Sequence, residues 1–333
     1  MPDTETAPRA VGVAGPARRA LAMRWHIAAL IVVLILPGLV YAAVLVARYA
    51  EAERARFRLE ALDTSRQVTT AIDRDLLALA TNLQTLATSP RLSIGNLGAF
   101  HTVADQIARL IDAEIRLRTR NGQQLVNTAT AWEAQLARTP LAIDAEALTS
   151  GAPAVSDVFV DPLTGRPACA VVVPIESDGH VLFLLDAVIP TDRIAAITRR
   201  DLSAGWIIGV GDRDGTYVAR SERHDELTGR PGVRSFLGLA SGSQGTFTSV
   251  NPFGDEILAG YVRSKLSGWV IAASVPTEIL DAPLRRQIAL LVGFGAVILA
   301  ASLLLATWRR SGASRISVGT LAAITQPESF ERT

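Results

Sequence analysis

Few residues of this 333-residue chain have the types and spacing that catalysis or cofactor binding requires. The glycine-rich run 209–215, GVGDRDG, superficially suggests a dinucleotide-binding loop. Its last glycine comes one residue late, however, and a strand pattern follows where that loop needs a helix. Asp212 and Asp214 lack the further acidic ligands and the terminal glutamate of an EF-hand. We therefore predict a β-hairpin turn at this run.

Other chemical signatures are also missing from the sequence. It contains no G-x-S-x-G elbow, Walker loop or H-E-x-x-H pair, and acids such as Asp157 and Asp161 are interpreted as turn caps. The single Cys169 excludes an intrachain disulfide and a multi-cysteine metal site, and the four histidines show no ligand spacing. A formal net charge of +1 lacks the excess of basic residues that is typical of nucleic-acid-binding proteins. We expect no enzyme activity, no cofactor and no metal.

One acid stands in an unusual place. Asp186 lies inside the apolar run 184–188, and a buried acid is costly unless it is paired. Arg116, Arg118 and Asn127, on the preceding predicted hairpin, are candidate partners. The alternative is that Asp186 caps a neighbouring turn or faces solvent on an alternating strand.

The elements that would position these residues are hairpins. Tight turns at Asn-Gly and Asp-Gly pairs supply the positive φ that such hairpins need, and they imply antiparallel sheet. The predicted strands are 114–119, 124–128, 168–175, 180–189, 205–211, 216–220, 245–250, 257–263 and 269–275.

A repeated ending divides these strands into two blocks. Residues 187–194, AVIPTDRI, correspond to residues 273–279, ASVPTEI. Each run reads as a final strand, a proline stop, a threonine N-cap (Thr191, Thr277) and an acidic first turn. Two tandem modules are therefore predicted.

A long helix precedes the modules. Residues 48–88 contain no glycine or proline and span about 60 Å as helix. Apolar or small residues recur three or four apart, as in an amphipathic helix: Phe57, Ala61, Thr64, Val68, Ile72, Leu76, Leu79, Leu83 and Leu86. This stripe either covers its own module or, through Val68, Ile72, Leu79 and Leu86, packs across the two-fold axis of a homodimer.

Two apolar segments flank the long helix and the two predicted modules. Residues 25–47 and 288–308 are each long enough to cross a bilayer, with arginines and aromatic rings at their ends. A cleaved signal peptide is the rival interpretation of the first, but its apolar run is too long. We predict two transmembrane helices with both termini on one side. Basic residues flank both sides of 25–47 about equally, so charge alone does not orient the chain.

At this point the sequence resembles the double Cache extracytoplasmic sensor domain of bacterial signalling proteins. The likeness covers about residues 48–286 and is closest to sensor regions ahead of histidine kinases. Three motifs carry it: VSDVFVDPLTGRPACAVVVPIESDGHVLFLLDAVIP (155–190), GWIIGVGDRDGTYVARS (205–221) and GDEILAGYVRSKLSGWVIAASVPTEILDAPLRR (254–286).

The resemblance implies an α+β fold of two PAS-like antiparallel-sheet modules with a long helix, flanked by the two membrane helices. The expected organisation is a cytoplasmic tail at 1–24, the long helix at 48–88, a distal module at 89–200, a proximal module at 201–286 and a cytoplasmic stub at 309–333. The stub looks like the start of a HAMP-type linker. The output domain is expected to be either missing from this chain or supplied by a separate protein.

The resemblance also implies a function: a small-molecule sensor in the bacterial inner membrane, with its central domain periplasmic or extracellular. The expected partners are a small ligand, membrane lipid, a second copy and a cytoplasmic signalling protein, and the expected output is a histidine kinase. Alternatives are the sensor of a chemoreceptor or of a cyclic-dinucleotide enzyme, or a scaffold or adhesion module without a ligand.

The same resemblance implies residues for a distal site. In amino-acid-binding members an aromatic side chain and an acid on the final strand hold the amino group, and Phe159 and Asp186 look like those two. The arginine and Trp-Tyr cluster that holds the carboxylate has no counterpart at 97–154. The expected ligand is therefore another small polar molecule or an organic acid.

Overall fold

A computed structural model of the chain describes residues 16–177, 179–200, 202–232 and 238–313. These residues form two compact units, one of residues 53–281 and one made by the two ends of the chain. The first unit contains two antiparallel sheets and most of the helices, which is the mixed α and β architecture of a Cache-type domain.

The described part of the chain begins with a long helix, α1 (Pro16–Ala87). Within residues 53–87 its apolar stripe lies against the sheets, and the predicted amphipathic helix is confirmed: Ala61, Ile72, Leu76, Leu79, Leu83 and Leu86 are buried. The stripe covers its own module, because Ile72, Leu79 and Leu86 are buried within a single chain and Val68 is half-buried against the same core; the homodimer stays a prediction.

The distal module follows. Two helices, α2 (Pro90–Ser93) and α3 (Leu97–Ile111), come first, and the sequence patterns did not indicate α3. The sheet has the order β2-β1-β6-β5-β3, with β4 also pairing with β5. Its elements are β1 (Glu114–Thr119), β2 (Gln124–Asn127), α4 (Asp144–Ser150), β3 (Ala154–Val155), β4 (Phe159–Val160), β5 (Pro167–Ser177) and β6 (His180–Pro190).

The proximal module repeats that arrangement. A short helix, α5 (Thr191–Thr198), leads into a sheet of order β8-β7-β11-β10-β9. Its elements are β7 (Ile207–Gly211), β8 (Tyr217–Arg220), α6 (His224–Leu227), β9 (Gln244–Val250), β10 (Glu256–Arg263) and β11 (Val270–Pro276). In each sheet the last strand along the chain (β6 or β11) lies between the first strand (β1 or β7) and the next-to-last strand (β5 or β10). The two modules therefore share one strand arrangement, and the repeat predicted from the strand endings is confirmed.

The threonines at those endings correct one prediction. Thr191 and Thr277 are the first residues of α5 and of the last helix, α7 (Thr277–Ala313), and Thr191 does not cap its helix. Each hydroxyl instead donates to a carbonyl of the neighbouring strand: Thr191 to Pro167, at 3.4 Å, and Thr277 to Glu256, at 3.2 Å. The threonines therefore tie each helix start back to its own sheet.

Each sheet has two distinct faces. One packs in a shared apolar core with α1, through side chains such as Leu117 and Leu185 in the distal module and Ile208 and Ile271 in the proximal one. The other face is covered by shorter segments, including α4 in the distal module. Each module has a cavity on this second face.

The glycine-rich run is a hairpin turn, as predicted. β7 ends at Gly211 and β8 begins at Tyr217. The buried Asp212 accepts hydrogen bonds from the backbone N–H groups of Asp214 and Thr216, and Gly215 has a φ of +81°, where a side chain would be strained.

Among the described residues one helix is long and apolar enough to cross a membrane. It is α1, whose stretch Val33–Ala87 includes an 18-residue window of mean hydropathy 1.9 with no buried residue. The second predicted span, 288–308, lies within α7, but the side chains at 299 and from 302 onward lie outside the described part of the chain, so this span stays a prediction. Residues 1–15 and 314–333, with most of the predicted tail and HAMP-like linker, lie outside the described residues.

Candidate ligand-binding site

The distal site is built on alternating residues of β1. Arg116 and Arg118 point to the face that α4 covers, and both side chains are about 1% exposed. Arg118 donates from Nε to Oδ1 of Asp186 at 2.6 Å, across the paired strands β1 and β6. Its two Nη atoms hold both oxygens of Asp144, at 2.7 and 2.9 Å. Asp144, in the first turn of α4, therefore fastens that helix to the sheet.

Arg116 makes a second set of ion pairs. Its Nε donates to Glu114 and its Nη2 to Asp161, each at 2.5 Å. The other oxygen of Asp161 accepts from the backbone and hydroxyl of Thr164, at 3.0 and 2.8 Å. Asp161 is thus the turn cap that the sequence predicted and also a buried partner of Arg116.

The site contains more negative than positive groups. Four carboxylates, those of Glu114, Asp144, Asp161 and Asp186, surround two guanidinium groups. Oδ2 of Asp186 is buried and has no hydrogen-bond partner among the described residues. Because buried polar atoms normally have partners, this oxygen is an exception within the network.

Electrostatics distinguish two of these acids. Burial raises the pKa of Asp186 to about 6, although its ion pair with Arg118 opposes the shift. Burial acts in the same direction on Asp161, but hydrogen bonds from Arg116 and Thr164 outweigh it and hold the pKa of Asp161 below its ordinary value. Asp186 is therefore the acid that lacks compensation.

A cavity of about 140 Å³ lies beside this network. Among its described lining residues, those with polar side chains outnumber the apolar ones, and Nη1 of Arg116 has no hydrogen-bond partner in the described part of the chain. The lining residues are Arg116, Gln124, Asn127, Thr130, Gln135, Leu136, Ala137, Thr139, Asp161, Pro162 and Leu163.

Part of this lining is fixed by an amide chain. Asn127 donates to the side-chain oxygen of Gln124 at 3.0 Å, and Gln124 donates to the hydroxyl of Thr139 at 2.8 Å. Nε2 of His101, on α3, lies 3.2 Å from the carbonyl oxygens of both Asn127 and Thr130. These contacts hold the irregular segment after β2 against the sheet.

The structure therefore separates the five residues predicted for the site. Arg116 and Asn127 line the cavity, whereas Arg118 and Asp186 lie in the buried ion network next to it. Phe159 does not line the cavity. It lies on β4, where it pairs with Ala168 of β5, and it packs on the apolar cluster under α4.

Sequence reasoning missed Asp144, Glu114 and Gln124. Asp144 lies 26 positions from Arg118, and no local pattern joins them. A signal was nevertheless present: two arginines at alternating positions of an apolar strand require nearby acids, and Asp144 begins the next helix after the hairpin.

Sensor domains are among the solved structures with a similar fold. The extracellular domain of the putative histidine kinase rpHK1S-Z16 matches with a TM-score of 0.54 and 15% identity, over 68% of this chain and 98% of that one. The ligand-binding domain of Mlp24 with asparagine matches with a TM-score of 0.53 and 16% identity, over 72% and 99%. This chain has the double Cache fold.

A third match of that double Cache fold is the ligand-binding domain of the Pseudomonas fluorescens chemoreceptor CtaA in complex with L-isoleucine. Its TM-score is 0.53 at 13% identity, over 70% of this chain and 95% of that one. No known sequence family and no curated protein matches the chain. At these sequence identities the similarity establishes the fold alone and does not identify a ligand.

Proposed function

We propose that this chain is a membrane-anchored extracytoplasmic sensor whose small-molecule ligand occupies the distal cavity. The observation that carries the proposal is the unpartnered oxygen of Asp186 in the ion network beside a polar cavity. A pocket with a few convergent polar groups is the usual form of a small-molecule site. The shared fold supports this role, because the matched domains are named as ligand-binding or sensor domains.

The charge of the site favours a ligand that carries an amino group. Four carboxylates facing two arginines leave a negative excess, which attracts a cation and repels a free anion. Nη1 of Arg116 supplies a donor for one ligand oxygen. The organic acid expected from the sequence fits less well, because both arginines are already paired with carboxylates.

Amino acids are thus the first class of ligand to test. The domains of Mlp24 and CtaA are described with asparagine and L-isoleucine, respectively. In sequence, Asp186 looks like the acid that holds the amino group in amino-acid-binding double Cache domains, and it lies in the ion network beside the cavity. A ligand that combined an ammonium group with a hydrogen-bonding oxygen would match both the carboxylate excess and the donor of Arg116.

Anchoring rests on the apolar stretches at either end. We place membrane spans at 25–47 in α1 and 288–308 in α7, with the unit of residues 53–281 outside the cytoplasm. The exposed apolar side chains of both helices support this placement, among them Leu34 and Val40 in α1 and Leu290 and Phe294 in α7.

Signalling would follow from two conformations with different ligand affinity. α7 begins at Thr277, directly after the last strand of the proximal sheet, so a change in that sheet has a continuous path toward the second span. We propose binding without catalysis in this chain, with a histidine kinase as the output. A chemoreceptor output is the second candidate, since similar domains come from chemoreceptors.

A thermal-unfolding screen tests the proposal against the scaffold alternative. The purified full chain is heated with matched panels of amino acids, small amines and carboxylic acids. Stabilisation by a subset of the amino-containing compounds supports the distal sensor, because a ligand that binds only the folded state raises its stability. If no compound of these classes stabilises the chain, the scaffold interpretation is favoured.

A further inference from the structure

The proximal module has a cavity of its own, of about 60 Å³, on the sheet face away from α1. Most of its wall is apolar. The lining residues are Ile207, Gly209, Tyr217, Arg220, Phe247, Ser249, Val250, Asn251, Pro252, Ile257, Ala259, Ala272 and Ser274. The cavity thus occupies the same face of the sheet as the distal one, although its chemistry is different.

Arg220 is the charged group of this cavity. It ends β8, opposite Gly209, and is 5% exposed. No carboxylate of the described residues forms an ion pair with it, in contrast to Arg116 and Arg118. Among the described residues its guanidinium has one polar contact, a 3.4 Å hydrogen bond from Nη1 to the carbonyl of Glu222, and it lies 5.2 Å from the ring of Phe253.

This leaves Nε and Nη2 of Arg220 without partners among the described residues. Residues 233–237, VRSFL, lie outside the described part of the chain, and their sequence contains no acid. Burial lowers the pKa of Arg220, as expected for a cation removed from water without full compensation. An uncompensated buried charge is costly, so a chain that keeps one has a reason to do so.

A second polar group shares the cavity. Tyr217, which also lines it, is half-buried, and its hydroxyl makes no hydrogen bond to the described residues. Burial raises the pKa of this phenol, although the charge of Arg220 opposes the shift, so the hydroxyl remains a donor at neutral pH. A cation and a phenol donor at one end of an apolar cavity form a receptor for a carboxylate with a short apolar tail.

We propose that the proximal cavity is a second ligand site, which binds a small monocarboxylate. Nε and Nη2 of Arg220 form a two-donor edge that matches the two carboxylate oxygens, and Tyr217 donates a further hydrogen bond. The apolar wall receives the alkyl chain. The volume has room for about four to six water-sized positions, which corresponds to an acid of roughly two to four carbons.

This site is independent of the proposed distal one. The distal arginines are neutralised by ion pairs with an excess of acids, whereas Arg220 forms no ion pair with a described carboxylate, and Glu222 and Glu226 act on its charge only from further away. The two modules, with one topology, would therefore select ligand groups of opposite charge.

The test measures binding of sodium propionate to the full chain by isothermal titration, with sodium chloride at equal ionic strength as the control salt. Arg220→Met removes the charge and keeps most of the side-chain length. Arg230→Met is the matched control, because Arg230 is exposed in the same module. Gly209→Val fills the cavity from the facing strand, where an added Cβ finds its nearest neighbour, in the ring of Tyr217, at an ordinary 3.8 Å.

Saturable binding of propionate to the wild-type chain is expected. Loss of a charge-assisted, two-donor contact should weaken it roughly tenfold or more in Arg220→Met. Gly209→Val should weaken it as well, whereas Arg230→Met should leave it unchanged. Gly209→Val also decides the matter if Arg220→Met fails to fold.

Two results would overturn the proposal: wild-type chain that binds propionate no better than chloride, or equal binding by wild type and Gly209→Val. Leu163→Trp, a variant that fills the distal cavity, should not alter propionate binding. Failure of the distal proposal would therefore be distinguishable from failure of this one.

Discussion

The hydroxyl of Ser65 lies 2.8 Å from the carbonyl oxygen of Gly260, where helix α1 lies directly on the proximal sheet. The same hydroxyl accepts a hydrogen bond from the backbone N–H of Ala273, the residue that pairs with Gly260 on the neighbouring strand. Ser65 is fully buried. A single polar side chain of the helix thus bonds to both of the neighbouring strands β10 and β11.

Gly260 has no room for a side chain, and this gives the first prediction. A Cβ at this position would lie 2.5 Å from the backbone nitrogen of Leu62, on α1. Gly260→Ala should therefore lower the free energy of unfolding by about 2 kcal/mol or more, because neither backbone can move aside without loss of packing. Chemical denaturation of the full chain measures the change.

The matched control is Gly209→Ala on β7 of the same sheet, where the added Cβ meets only ordinary contacts. This variant should be neutral or stabilising by about 0.5 kcal/mol, since alanine is less flexible than glycine in the unfolded chain. Equal effects of the two variants would show that α1 does not pack on Gly260 as described.

A second prediction concerns the pH dependence of stability. The pKa of Asp186 is about 6 in the folded chain, above its ordinary value of 3.8, so the folded state takes up this proton first as pH falls. Asp186 therefore destabilises the fold above pH 6, and this penalty is relieved as pH falls through 6 toward 4.

Asp186→Asn removes that titration. From about pH 7.5 to about pH 5, the stability of wild type relative to this variant should rise by on the order of 1 kcal/mol. Asp214→Asn serves as the control, because Asp214 is exposed and Asn-Gly keeps the turn chemistry. A flat difference between wild type and Asp186→Asn across this range would contradict the description of Asp186 as an uncompensated buried acid.

A third prediction uses the single cysteine. Cys169 is fully buried and burial raises its pKa to about 12, so it should resist thiol reagents in the folded chain and react after denaturation. A cysteine introduced at the exposed position Val160 is then the reactive thiol of the folded unit. In cells with a permeabilised outer membrane, Val160→Cys should react with an impermeant maleimide. Reaction only after lysis would place this unit in the cytoplasm.

The strands could be predicted from the sequence because their signals are local. Alternating β-branched residues and turn glycines such as Gly122 and Gly215 fix both the strands and their neighbours, and their φ angles of +84° and +81° are those that favour glycine. The partners of Arg118 could not be predicted in this way. Asp186 is 68 positions and Asp144 is 26 positions from Arg118 in sequence. The pairing register of β1 with β6 and the packing of α4 on the sheet bring these acids to Arg118.

The threonine caps failed for a related reason. Thr191 and Thr277 follow a proline at the helix start, where a cap is the ordinary expectation. However, strand pairing brings a backbone carbonyl of the adjacent strand within hydrogen-bonding distance. Each threonine hydroxyl therefore donates to that carbonyl and does not cap its own helix.

The central claim, a ligand in the distal cavity, is tested most directly by titration of the strongest amino-containing hit into three full-length chains. Leu163 lines the cavity and is exposed, so Leu163→Trp should block the cavity without disturbing the core. Val160→Trp, on the nearby strand β4, is the matched control, because Val160 is also exposed and does not line the cavity. The account predicts roughly tenfold or greater loss of affinity in Leu163→Trp and wild-type affinity in Val160→Trp. Equal affinity in all three chains would contradict it.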